Sequence, residues 1–243
     1  IQRDKPVDVW GWAKPGDEVS VKFSGRSGSG TADKDGNWRV QLPAMEANSE
    51  PATMSISAGD NTLTFENILI GDVGLLCGQS NMQWGIGASN EGNLEVVSAN
   101  FPNIRMLTIP QIFGPELKTN FPRAEEYSQI TGEEQTRGDW QICTPETVGS
   151  MSAIGYVMAR RIHMASQVPI GIVNTSRGGT TVEAWTPLTR LRKLDAPEVK
   201  ARLAAADEQL ASYSPEEDLK KQIAKFEAKV EQMKKEGKDI SKM

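Results

Sequence analysis

Over the first 70 residues, apolar and polar positions alternate in short runs such as EVSVKFSG, NWRVQLP, ATMSISAG and NTLTFENILI, separated by clusters of Gly, Pro, Asn and Asp. Alternation with period two puts one face of each run against a core, and the recurring turn signals predict an all-β module, a β-sandwich over residues 1–70. Within it, DKDGN (Asp33 to Asn37) has some likeness to a calcium loop. Trp38, however, stands where such a loop needs its glycine. The reading adopted is an Asp-Gly hairpin turn.

From Gly71 the pattern changes. DVGLLCG, NIRMLTI and VPIGIVNT are apolar runs set between longer segments, as buried strands of a parallel sheet are in βαβ units. Between the last two, SAIGYVMARRIHMASQ predicts a helix with Ile154, Val157, Met158, Ile162 and Ala165 on one face. Residues 111 to 145 carry little periodicity and predict a long loop, a length more often functional than filler.

The tail predicts two helices. Asp195 with Glu198, and Ser214 with Glu217, each spell a capping box, and Pro215 suits a first helical position. Val199, Leu203, Ala206 and Leu210 form one apolar stripe, and Leu219, Ile223, Phe226, Val230 and Met233 form another. An antiparallel helical hairpin over residues 195–237 follows, a packing or oligomer element with a solvated Lys/Glu face.

Composition narrows the function classes. The 243 residues suffice for two domains, and 38% hydrophobic with 24% charged residues describes a globular chain without a membrane span. A net charge of −5 lacks the basic footprint of a nucleic-acid binder. Cys77 and Cys143 are too few for a disulfide scaffold and have no metal-ligand spacing. The opening at Ile1, without an apolar leader, reads as a processed or trimmed product.

Candidate chemistry centres on GDVGLLCGQSNMQWG, where a buried strand ends abruptly in Gly-Gln-Ser-Asn. A serine there lies at the carboxyl end of the sheet, where open α/β folds place their ligands. Ser, Asn and Gly are equally ordinary turn residues, so the tetrapeptide alone serves both readings. A second strand, in VPIGIVNTSRGGTTVEAW, also ends in a polar, glycine-rich turn, and parallel neighbours bring such turns together. The pair Gly178 and Gly179 lets backbone N–H groups approach a ligand, but the spacing of a phosphate loop is absent.

GDVGLLCGQSNMQW resembles the nucleophile block of the sialate O-acetylesterase-like branch of the SGNH hydrolases, and PIGIVNTSRGGTTVEAW resembles its glycine block. KPVDVWGWAKPGDEVSVKF is similar to the β-sandwich preceding the catalytic domain in that branch, and TPETVGSMSAIGYVMARRI to its intervening helix. The resemblance covers most of residues 5 to 190 in the family's order. It implies a serine esterase acting on an acetylated carbohydrate, sialic acid or another glycan, with no cofactor or metal. It further implies a secreted, periplasmic or lysosomal setting. By the same resemblance Ser80 is the nucleophile and a contributor of its own N–H to an oxyanion hole, and Gly179, beside Gly178, supplies a further N–H. Gln79 and Asn81 shape the turn and pocket. Arg177, where relatives often have an aromatic residue, faces substrate or simply solvent.

The family's general base lies far downstream in an Asp-x-x-His block, after a Gln-Gly-Glu block, and neither occurs in these 243 residues. TGEEQ (Thr131 to Gln135) precedes the glycine turn instead of following it. His163 is the one histidine. Nine residues beyond Ile154 at about 100° each, it falls about 180° from the apolar face. Three assignable parallel strands are also fewer than the roughly five of a self-sufficient doubly wound sheet. The fold anticipated is therefore an N-terminal β-sandwich followed by an incomplete SGNH-type doubly wound α/β domain over residues 71–243, carrying the helical hairpin. A C-terminal segment or second chain completes it with the Asp/His pair. The competing expectation is a non-catalytic carbohydrate-binding or scaffold protein on an esterase frame.

Overall fold

The structure, a computed structural model, describes residues 1–112, 120–127 and 134–235. It is a mixed α/β chain dividing into two compact units, Ile1–Trp185 and Thr186–Met243.

The first unit opens with strands β1 (Val7–Trp12), β2 (Glu18–Phe23), β3 (Arg26–Thr31), β4 (Asn37–Leu42), β5 (Asn48–Ala58) and β6 (Asn61–Ile70). β1 pairs antiparallel with β4, while the other four form an antiparallel sheet in the order β3-β2-β5-β6. Alternate residues of β2 (Val19, Val21, Phe23) and β4 (Trp38, Val40, Leu42) turn inward and share one apolar cluster with Met54 and Ile56. β3, RSGSGT, has no large apolar side chain and is not among the predicted runs. Its small residues have a packing reason: a Cβ on Gly28 would come 2.8 Å from Val40 Cγ1.

The Asp-Gly turn is present but is not a hairpin, because β3 and β4 pair with strands of different sheets. Asp33 Oδ1 accepts the amide N–H groups of Asp35 and Asn37 at 2.8 and 2.9 Å. Gly36 takes φ +84°, and a Cβ there would stand 2.7 Å from the Ala13 carbonyl oxygen.

Next come β7 (Asp72–Leu76), α1 (Ser80–Gln83), α2 (Gly92–Val97), β8 (Phe101–Thr108), β9 (Ala124–Tyr127), β10 (Glu134–Arg137), β11 (Trp140–Cys143), α3 (Pro145–Val148), α4 (Ala153–Ser166) and β12 (Ile170–Asn174). Their main sheet runs β11-β8-β12-β7, with β12 parallel to both β7 and β8 and β11 antiparallel to β8. The segment read as one long loop thus holds an antiparallel β9–β10 pair and a fourth strand of the main sheet. These strands span only four residues each, too few for an alternation to register. Most of TGEEQ lies outside the described residues.

α4 forms where its sequence predicts, with Ser152 Oγ accepting the Gly155 N–H at 3.2 Å, but it packs on a different face. Gly155, Tyr156 and Ala159 are buried with Leu76, Ile104, Met106 and Ile172. Ile154, Val157, Met158 and Ile162 stay 38–52% exposed. At Gly155 the approach to the sheet is close: a Cβ there would lie 2.1 Å from Leu76 Cδ1.

Gly71 joins the two halves of this unit. Its N–H donates to the Ile1 carbonyl at 3.0 Å, its carbonyl accepts the Arg3 N–H at 2.8 Å, and a Cβ there would stand 1.9 Å from the Pro169 carbonyl oxygen. Arg3 adds a two-pronged ion pair to the Asp72 carboxylate at 2.9 and 3.1 Å.

The second unit contains α5 (Leu188–Leu191), α6 (Pro197–Ser212) and α7 (Pro215–Lys235). Ser214 caps α7 as its sequence predicts, accepting the Glu217 N–H at 3.3 Å. The Asp195 cap does not form. α6 begins after Ala196 without a side-chain cap, and Asp195 pairs with Lys200 Nζ at 2.7 Å instead. The anticipated seam is also open: neither helix buries a residue, and Leu210, Leu219, Ile223 and Phe226 remain about half exposed or more.

Candidate active site

β7 and β12 are parallel neighbours, so the chain leaves both at the same edge of the sheet. The pairing continues past their ends: Thr175 N–H donates to the Leu76 carbonyl and Arg177 N–H to the Gly78 carbonyl, each at 2.9 Å. These bonds draw the glycine turn against the start of α1. A Cβ on Gly178 would lie 3.7 Å from Ser80 Oγ. The two turns read from the sequence as neighbours are neighbours.

Ser80 opens α1 and is exposed. Its hydroxyl donates to Gln79 Oε1 at 2.8 Å, and the same oxygen takes the Ser80 N–H at 3.2 Å. Gln79 therefore fixes the serine rotamer as well as the turn. Asn81 is exposed and makes no side-chain hydrogen bond among the described residues. Gly179 takes φ +77°, a left-handed backbone that favours glycine, and open space lies where its Cβ would be. Its N–H has no partner among the described residues. Arg177, exposed, donates through Nη1 to Gln111 Oε1.

Gln83 is the residue that sequence reasoning missed. One turn after Ser80 on the same helix, its Oε1 accepts the Gly178 N–H at 2.6 Å. The available signal was the polar residue three positions beyond the serine, which a helical turn brings back to the serine's side. Deeper in the turn, Asn174 Oδ1 accepts the Ser176 N–H and hydroxyl at 3.1 and 2.6 Å, and both residues are buried.

His163 serves a different part of the fold. It sits in the last turn of α4 with Nδ1 2.8 Å from the Val168 carbonyl oxygen, edge-on to Phe101. That carbonyl precedes β12, at the sheet edge opposite the one β12 reaches beside Ser80. Half-buried, the ring does not point fully into solvent as its helical phase predicts. No histidine or carboxylate among the described residues hydrogen-bonds Ser80. Cys143 is buried and its thiol is pushed up to about 11 by desolvation, while Cys77 is exposed. A cleft of about 650 Å³ lies at the far end of the sheet among Gly71, Val73, Arg105, Trp140 and Gly171, away from the serine.

No family model matches the chain. It is 27% identical to human sialate O-acetylesterase over 202 residues, covering 78% of this chain and 37% of that protein. The mouse sialate O-acetylesterase is 25% identical over 213 residues, with 79% and 38% covered. Among solved structures, a carbohydrate acetylesterase from Xanthomonas citri superposes with a TM-score of 0.70 at 30% identity, covering 79% of this chain and 41% of that one. The chain spans about two-fifths of the length of the relatives it matches.

Proposed function

On the sialate O-acetylesterase-like fold that this chain carries, we propose that Ser80 is the nucleophile of a carbohydrate O-acetylesterase. Its Oγ attacks the acetyl carbonyl, a general base takes the serine proton, and the sugar hydroxyl leaves protonated. Water then hydrolyses the acyl-enzyme to acetate. The developing oxyanion is met by the N–H groups of Gly179 and Ser80, the latter on giving up its bond to Gln79. Loss of one such donor typically costs about 10²–10³ in rate. The Gly178 N–H, held by Gln83, positions the turn, and Arg177 lies at its rim.

The observation that carries this reading is the seating of the Gly178–Gly179 turn against Ser80 at the shared edge of β7 and β12. The base belongs to a C-terminal segment or second chain, in keeping with a Ser80 that no histidine or carboxylate among the described residues hydrogen-bonds and with relatives more than twice as long. Exposed apolar surface supports such a completion: Val73 and Leu75 on β7, Trp140 and Ile142 on β11, and the outer stripe of α4. In this reading residues 1–70 are a β-sandwich domain and residues 71–243 an incomplete SGNH-type domain, with an insertion over 195–237. The protein works outside the cytoplasm or in a lysosome, and no described helix is long and apolar enough to cross a membrane.

Acetate release by the longest native protein containing this chain, assayed on O-acetylated sialic acid and on acetylated polysaccharide, tests the reading and selects the substrate. Ser80→Ala abolishes release if the reading is correct. A second reading, a non-catalytic carbohydrate-binding protein, draws on one observation: the Ser80 hydroxyl is satisfied by Gln79 and bonds no base among the described residues. It predicts sugar affinity without acetate release.

A further inference from the structure

The β1–β4 ribbon presents a second surface with ligand chemistry. Alternate residues of β1 point outward, placing Asp8, Trp10 and Trp12 on one face, and the register sets Gln41, Arg39 and Asn37 opposite them. More than half of each indole is exposed, and the rings meet edge to face with centroids 5.6 Å apart. Among the described residues the pair is left this open on a paired strand, on the side away from the core.

The polar side chains around the indoles are already organised. Arg39 grips the Asp8 carboxylate through Nε and Nη2 at 3.0 and 2.6 Å, and Gln41 Nε2 adds a bond at 3.1 Å. Arg39 Nη1 and Gln41 Oε1 keep hydrogen-bonding capacity beside the rings. Beneath, Trp38 packs on Gly11 so closely that a Cβ would stand 2.9 Å from its ring, which makes the ribbon a rigid support. The core of a protein–protein interface is depleted of charge, whereas here an ion pair sits among the aromatics. Apolar C–H faces ringed by hydroxyls are what such a surface complements.

We propose that the outer face of β1 and β4 is a carbohydrate-binding platform, separate from the Ser80 site, on which Trp10 and Trp12 stack pyranose rings while Arg39, Gln41 and Asn37 bond their hydroxyls. The platform binds whether or not Ser80 hydrolyses esters. Affinity electrophoresis of the longest native protein containing this chain, in gels containing acetylated xylan, deacetylated xylan, galactomannan or sialylated mucin, provides the test. At least one polymer retards the chain. Trp10→Ala with Trp12→Ala weakens that affinity by about tenfold or more, the corresponding Phe pair largely restores it, and Ser80→Ala leaves it unchanged. On the unmutated chain, the retarding polymer shields tryptophan fluorescence from acrylamide. Absence of retardation by all four polymers overturns the proposal, as does undiminished retardation of the folded alanine pair or unaltered quenching. Lost acetate release with intact retardation counts against the esterase reading alone.

Discussion

The Gly178 N–H donates to Gln83 Oε1 at 2.6 Å, so a side chain on the serine's own helix holds the turn that faces the serine. Removing that acceptor leaves a half-buried donor unpaired. Gln83→Leu should therefore loosen the turn by roughly 1 kcal/mol. Amide exchange at Gly178 quickens, with the melting temperature little changed. Gln83→Glu, which keeps an acceptor oxygen, preserves the slow exchange. Equal exchange in the parent and Gln83→Leu proteins would show that the bond does not hold the turn.

Gly71→Ala tests the junction between the β1–β6 sheets and the parallel sheet. With only 1.9 Å between the new Cβ and the Pro169 carbonyl oxygen, the backbone of β7 or β12 must shift. Overpacking of this kind costs about 1–3 kcal/mol, and the clash with rigid backbone places this substitution at the upper end. Chemical denaturation measures it. A variant as stable as the parent contradicts the close approach.

The two cysteines should separate cleanly by reactivity. Exposed Cys77 reacts with a thiol reagent at mildly alkaline pH, while Cys143 reacts only on unfolding. The thiol of Cys143 is raised to about 11 by burial, so its contribution to stability is full below the ordinary thiol value and is lost as pH climbs through 11. Denaturant titrations over that window show a decline, and Cys143→Ala flattens it. Equal labelling rates for both thiols in the native protein would argue against the burial.

Acid should act on the β-rich half through Asp33. Amide and side-chain hydrogen bonds, first among them the Asn37 N–H, hold its carboxyl below the usual carboxylate range. The resulting stabilisation is present above that range and disappears as pH falls through the lowered value. Asp33→Asn retains an acceptor without the titration, so its melting temperature falls less steeply with acid. Parallel acid profiles for the two proteins would remove Asp33 from the account.

Some of this architecture was readable from residue pattern, for reasons specific to each element. β7, β8 and β12 are apolar runs ended by polar turns, and a parallel sheet demands that pattern. The placement of Ser80 beside Gly178 follows from the same geometry. α4 was legible as a helix but not in its orientation: Gly155 and Ala159 carry little hydrophobic signal, yet both are buried, Gly155 against Leu76. β3 carries no large apolar residue, and β9, β10 and β11 span only four residues each, so neighbours rather than local pattern define them. The stripes on α6 and α7 predict a seam that the chain does not close. Gln83 was hidden because its role depends on a turn 95 residues away.

The central claim rests on Ser80, and trapping its acyl-enzyme tests it most directly. The longest native protein containing this chain is mixed with an activated acetyl ester, quenched in acid, digested, and its peptides weighed. A transient acetyl group is expected on the Ser80 side chain in the parent, with no adduct and no turnover in Ser80→Ala. Continued ester hydrolysis by Ser80→Ala, or a kinetically competent adduct on a different residue, would contradict it.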